Sequence, residues 1–211
     1  MCEKILLIDG HSILNRAFYG VPPLTNFEGL HTNAVYGFIN IMLKSLEDEH
    51  ADYIAVAFDL KAPTFRHEMF AEYKGTRKPM PQELHEQVPV IKEVLAAMTI
   101  PVITLEGYEA DDILGTLAKR CQRDGFEVSI LSGDRDLLQL ADEHIKIRMP
   151  KTVKGQTSIE NYYPSDVIDK YQVTPEEFID LKALMGDSSD NIPGVPGIGE
   201  KTATAIITKY K

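Results

Sequence analysis

Four short, mainly apolar runs limit what this chain can become: Ile5–Ile8, Ile54–Phe58, Val102–Leu105 and Val128–Leu131, with Ile145–Met149 a fifth candidate strand. The first four do not alternate polar with apolar, and turn residues or acids follow each of them. Runs of this length and pattern suit strands covered on both faces, as in a parallel sheet. Helical periodicities lie between them. Val35, Phe38, Ile39, Met42 and Leu46 form one stripe, and Ile113, Leu114, Leu117, Ala118 and Cys121 another. Strand alternating with helix predicts an α/β fold with a mostly parallel sheet flanked by helices.

Residues 61–85 break the alternation with Pro63, Pro79 and Pro81 among charges and aromatics, so they read as an insertion over the sheet. Beyond residue 150 the character changes. A polar hairpin turn is expected at Lys151–Ser158, around Gly155, then helices over Pro164–Tyr171 and Pro175–Met185. A Gly-Pro-rich hairpin, Ile192–Gly199, leads into a last helix from Glu200. We expect a larger core over 1–163 and a smaller helical unit over 164–211.

Three of the buried runs lead directly to an acid: Asp9, Asp59 and Asp134. Ligands of open parallel sheets bind outside the carboxyl ends of the strands, so these acids should share one crevice. Asp136 follows Asp134, and the third strand leads into Glu109, Asp111 and Asp112 at the start of a helix. Each acid alone suits a cap or turn. Together they would repel one another strongly without a cation. The donors are all oxygens, with no Cys or His among them, which suits magnesium, manganese or calcium rather than zinc or copper. So many carboxylates favour two ions, the arrangement used to hydrolyse phosphate esters. Asp187 and Asp190 form a further acidic pair whose spacing also fits a simple cap.

The insertion has the opposite charge. Between Lys61 and Lys78, five bases (Lys61, Arg66, Lys74, Arg77, Lys78) outnumber two acids, with Phe65, Phe70 and Tyr73 interleaved. Bases among aromatics suit a single-stranded nucleic acid, and a solvated helix face is the plainer alternative. Gly194, Gly197 and Gly199, with Lys201 after them, read as a helix–hairpin–helix that holds a duplex backbone without reading bases, or else as a tight interhelical turn.

These motifs resemble the 5′-nuclease (flap endonuclease) domain at the N-terminus of bacterial DNA polymerase I. The resemblance is carried by Leu7-Ile8-Asp9-Gly10, Phe58-Asp59, Pro63-Thr64-Phe65-Arg66-His67, Tyr73-Lys74-Gly75-Thr76-Arg77, Glu109-Ala110-Asp111-Asp112, Ser132-Gly133-Asp134-Arg135-Asp136 and Gly186-Asp187-Ser188-Ser189-Asp190-Asn191-Ile192-Pro193-Gly194. It runs in order along essentially the whole chain. It implies a PIN-like fold with a helical arch, and cleavage of DNA at 5′ flaps and nicks with two Mg2+ or Mn2+ ions. It implies metal ligation, directly or through water, by Asp9, Asp59, Glu109, Asp111, Asp112, Asp134, Asp136, Asp187 and Asp190. Lys74 and Arg77 would contact the scissile phosphate, and Tyr73 would offer a ring to terminal bases. Arg66 and Lys78 would contact the strand. The Gly194–Gly199 hairpin would clamp duplex and hold a potassium ion. The family's domain continues past residue 211, so the clamp is expected to be truncated here, with a polymerase following in a longer chain. At position 75 the family more often has Ala, and Gly would loosen a helical arch by roughly 1 kcal/mol. A silent DNA-junction binder and a PIN-type ribonuclease are the alternatives.

Composition fits this reading. The chain has 211 residues, 44% hydrophobic and 26% charged, with net charge −10. That argues against a basic nucleic-acid coat or a polybasic membrane anchor. Assigning nine acids to one metal crevice brings the remaining surface close to neutral. Cys2 and Cys121 form no zinc spacing, and the N-terminal apolar stretch is too short for a signal or a span. A cytoplasmic monomer is expected.

Overall fold

The computed structural model describes residues 2–153 and 156–210. The first expected run becomes strand β1 (Lys4–Asp9), followed by helices α1 (Gly10–Gly20) and α2 (Asn33–Glu49), then β2 (Tyr53–Ala57). The insertion holds α3 (Phe65–Met69) and α4 (Gln82–His85), and α5 (Gln87–Ala97) leads to β3 (Val102–Ile103). Next come α6 (Ala110–Arg123), β4 (Glu127–Leu131), a 3-10 helix (Arg135–Leu140), and strands β5 (Ile145–Val153) and β6 (Gln156–Tyr162). The chain continues through α7 (Pro164–Tyr171), α8 (Glu177–Met185), short strands β7 (Gly186–Asp187) and β8 (Ile192–Pro193), and α9 (Glu200–Lys209).

The main sheet runs β3-β2-β1-β4-β5-β6, parallel except for β6. Its mainly apolar runs are explained by cover on both faces. Leu6 and Ile8 pack with Ile13, Phe38 and Leu95 on one side, whereas Leu7 packs with Ala110, Ile113 and Leu114 on the other. Strand β1 lies centrally, with β2 on one flank and β4 on the other. Successive crossovers therefore leave it in opposite directions, and a crevice opens beyond the carboxyl ends of β1 and β4.

Strand β3 is shorter than the 102–105 run. It pairs only at Val56 and Ala57, and Leu105 is exposed. An edge position with a partner on one side explains the early end. The expected hairpin forms as β5 and β6, whereas Gly155 lies outside the described residues. Helix α8 starts two residues after Pro175. The Thr174 hydroxyl accepts the Glu177 N–H at 3.1 Å, and the Glu177 carboxylate accepts the Thr174 N–H at 2.8 Å.

The insertion lies off the sheet, as expected, but it is helical only at its ends. Residues 71–76 form turns, and Lys74 takes a left-handed φ of 56°. The loosening expected of Gly75 in a helix therefore does not apply. A methyl group there would instead stand 3.0 Å from the Glu72 carbonyl oxygen.

Gly186 and Gly194 have a structural reason. Gly186 has φ +70°, and a Cβ on it would lie 2.3 Å from the Gly194 nitrogen. A Cβ on Gly194 would lie 2.3 Å from the Met185 carbonyl carbon. The two backbones cross where no side chain fits.

Candidate metal centre

An open crevice of about 990 Å³ lies at the predicted edge, lined by Asp9, Asp59, Glu109, Asp111, Asp134, Asp136 and Asp187, with Lys74, Arg77 and Lys182 among them. Asp9 ends β1 and caps α1, accepting the Ser12 N–H at 3.0 Å. The Ser132 hydroxyl donates to its other oxygen at 2.7 Å. Asp59, just past β2, accepts the Ala110 N–H at 2.8 Å, which ties the β2 end to the start of α6. Asp134 caps the 3-10 helix by accepting the Asp136 N–H at 2.8 Å. These are the cap roles available to single acids, and they also aim the carboxylates into common space.

The electrostatics separate the acids into two kinds. Burial, reinforced by Asp9, Asp134 and Asp59, pushes Asp111 up to about 8. Burial also raises Asp9 to about 6, against hydrogen bonds from Ser12 and Ser132 and with Asp59 and Asp134 adding repulsion. Burial opposes ionisation of Asp59 too, but His11 at 3.2 Å and the Ala110 N–H outweigh it and bring Asp59 down to about 2. Asp9, Asp59, Asp111 and Asp134 thus form a cluster whose like charges do not neutralise one another.

The other acids are paired with bases. Arg66 grips Asp112 with both terminal nitrogens at 2.7 and 2.8 Å. Lys74 Nζ lies 2.8 Å from Glu109, and Arg77 pairs with Asp190. Lys182 lies 2.9 Å from Asp136 and 2.6 Å from Asp187. The Asp136 Oδ1 that Lys182 approaches is shielded from solvent. Among the described residues, no three acidic, histidine or cysteine side chains stand close enough to hold an ion as placed. Four of the nine acids thus form a repelling cluster, and the other five stand beside it in ion pairs, with Asp112 and Asp190 outside the crevice lining. The repulsion around Asp111 and the carboxylate donors lining the crevice fit hard divalent cations.

Tyr73 is buried, and its hydroxyl lies 3.0 Å from Glu109 and 3.1 Å from Asp190. His67 packs against its ring edge-on, so the ring is a buried junction and not an open stacking surface. Nearby, the Lys74 N–H donates to the Asp190 carbonyl, and Asn191 donates to the Glu72 carbonyl, each at 2.8 Å. The insertion therefore docks on the loop carrying Asp187 and Asp190. Lys78 is exposed. Gly197 and Gly199 face open space, and Lys201 lines a groove between α7 and α9 with Lys170 and Lys209.

Sequence reasoning did not single out Ser12, His11, Ser132 or Lys182. Ser132 was legible only as a turn residue, and Lys182 only as a base near a helix end.

Family models add the deciding comparison: residues 4–172 match the 5′-3′ exonuclease N-terminal resolvase-like domain, and residues 173–211 match the 5′-3′ exonuclease C-terminal SAM fold. The chain belongs to the 5′-3′ exonuclease family. This exonuclease-family chain is 54% identical to DNA polymerase I of Bacillus caldotenax over 210 residues, 100% of the chain and 24% of the relative. It is 54% identical to that of Bacillus subtilis (strain 168) over 208 residues, 99% of the chain and 23% of the relative. It thus spans about a quarter of the length of these curated relatives. Among solved structures, it resembles the T5 5′-exonuclease with bound zinc at 26% identity and TM-score 0.77, covering 99% of this chain and 76% of that one. A bacteriophage T5 flap endonuclease complex with DNA and metal ions matches at 26% identity and TM-score 0.78, covering 99% and 75%. The catalytic core of Rad2 with DNA, at 19% identity and TM-score 0.60 over 99% and 62%, shares the fold. No helix among the described residues of the exonuclease-family chain is long and apolar enough to cross a membrane.

Proposed function

We propose that this chain is a metal-dependent 5′ nuclease module that hydrolyses DNA phosphodiesters at 5′ flaps and nicks, as part of a cytoplasmic DNA polymerase I that acts as a monomer. The observation that carries this reading is the repelling cluster of Asp9, Asp59, Asp111 and Asp134 at the switch point of the sheet. Relatives at 54% identity named DNA polymerase I and a metal- and DNA-bound flap endonuclease neighbour support it.

Two Mg2+ or Mn2+ ions, held directly or through water by the nine acids, would lower the pKa of a water and offset negative charge on the phosphate. The chain itself supplies the rest. The Asp9 carboxylate is oriented by Ser132, that of Asp134 by the Asp136 N–H, and that of Asp59 by the Ala110 N–H. Lys74 and Arg77 line the crevice as cations suited to charge developing on phosphate oxygens. Arg66 and Lys78 belong to the strand-binding segment, and Tyr73 anchors that segment on Glu109 and Asp190. Gly194, Gly197, Gly199 and Lys201 belong to a duplex clamp over 164–211, beside a core over 1–163. A potassium ion at the hairpin is part of the same reading.

The test is cleavage of a labelled 5′-flap DNA, its RNA analogue and a blunt duplex, each with magnesium or with EDTA. Flap cleavage that needs magnesium supports the proposal. Activity in EDTA, or preference for the RNA, overturns it. Flap binding with no cleavage under any metal would show a silent junction binder.

A further inference from the structure

Lys182 lies in the last turn of α8, and the helix ends at Gly186, whose N–H bonds to the Lys182 carbonyl. A lysine here is favoured by the helix dipole with its ammonium in solvent. Instead, the ammonium lies between two carboxylates from different elements, Asp136 of the 3-10 helix and Asp187 of β7. Its side chain is only 25% exposed. The ammonium lies 2.6 Å from Asp187 and 2.9 Å from Asp136 Oδ1, which is shielded from solvent. A monovalent cation thus occupies the space between two hard oxygen donors.

We propose that Lys182 is a built-in counter-ion of the Asp136–Asp187 pair, a positioning residue that holds the pair together in the metal-free protein and competes with a divalent ion for it. The inference rests on the proposed metal-dependent function. A +1 charge beside the pair lowers its attraction for a divalent ion, and the ion must displace the ammonium or bind beside it. The lysine thereby weakens the second ion's binding while keeping the loop Gly186–Asp190 docked. A purely structural lysine predicts the opposite sign, because its loss would let the two carboxylates drift apart.

The experiment is Mn2+ binding to the metal-free, DNA-free chain, followed by electron paramagnetic resonance. It compares wild type with Lys182→Met, Lys182→Gln and Lys182→Arg. We expect Met and Gln to tighten the weaker site about tenfold, with the other site unchanged and Arg close to wild type. We also expect the metal-free Met variant to melt lower than wild type and to recover the difference when Mn2+ is added. Weaker or unchanged Mn2+ binding in a folded Met or Gln variant overturns the inference alone. Failure of the wild type to bind Mn2+ overturns the metal-dependent reading with it.

Discussion

The Ser132 hydroxyl donates to Asp9 Oδ2 at 2.7 Å while its oxygen accepts the Asp134 N–H at 3.0 Å. One side chain thus connects the acids at the ends of β1 and β4, neighbouring strands at the switch point. Ser132→Ala removes a buried donor to a carboxylate and frees both acids to reorient. We expect a stability loss of about 1–3 kcal/mol in urea titration, and metal affinity lower by about tenfold in calorimetry. Wild-type affinity in the variant would show that this bridge does not orient the acids.

Asp111 keeps its proton up to about pH 8 in the folded chain because burial and its acidic neighbours disfavour the charge. In the unfolded chain it loses that proton near pH 4. Between these values the folded state binds more protons, so metal-free stability falls as pH rises through the window. Asp111→Asn removes the penalty. Without metal, we expect the variant to match wild type near pH 4 and to exceed it by a growing margin as pH rises to 8, because the wild type alone carries the cost of ionising Asp111. Added magnesium should stabilise wild type at pH 8 and the variant much less. Thermal melts across pH, with and without magnesium, read both effects.

Lys74 approaches the crevice from the insertion, 2.8 Å from Glu109. In the proposed function its charge faces the reacting phosphate and not the clamp. Lys74→Ala should lower single-turnover flap cleavage by 100-fold or more, with duplex affinity within about threefold in an anisotropy titration. Equal losses of binding and rate would place Lys74 in substrate binding only.

Glycines of the terminal hairpin should differ sharply. Gly194→Ala sets a methyl 2.3 Å from the Met185 backbone, so overpacking should cost about 2–3 kcal/mol. Gly199→Ala meets nothing within 4 Å and should change stability by less than about 1 kcal/mol. Chemical denaturation of the two variants side by side checks the contrast, and equal effects would mean that the β7–β8 crossing is not tightly packed.

Much of the architecture was legible in the residues. Buried parallel strands cannot alternate, so β1, β2 and β4 were visible as mainly apolar runs, and the acids following them marked the crevice. The amphipathic stripes of α2 and α6 were equally plain. The extent of β3 was not, because edge pairing depends on which neighbour is present. Nor was the conformation of residues 71–76, where ion pairs and the docked loop outweigh local helix propensity.

By itself, the sequence determined the sheet class, the sheet edge at which the acids gather, and the oxygen-only donor set, because burial and strand polarity follow from local pattern. Tertiary structure alone decided how those acids divide. Asp9, Asp59, Asp111 and Asp134 gather in a partly buried cluster and repel, whereas Asp112, Glu109, Asp190, Asp136 and Asp187 are paired with Arg66, Lys74, Arg77 and Lys182, the last shared between two of them. Which base reaches which acid depends on chain segments far apart in sequence, and only packing brings them within a few ångströms.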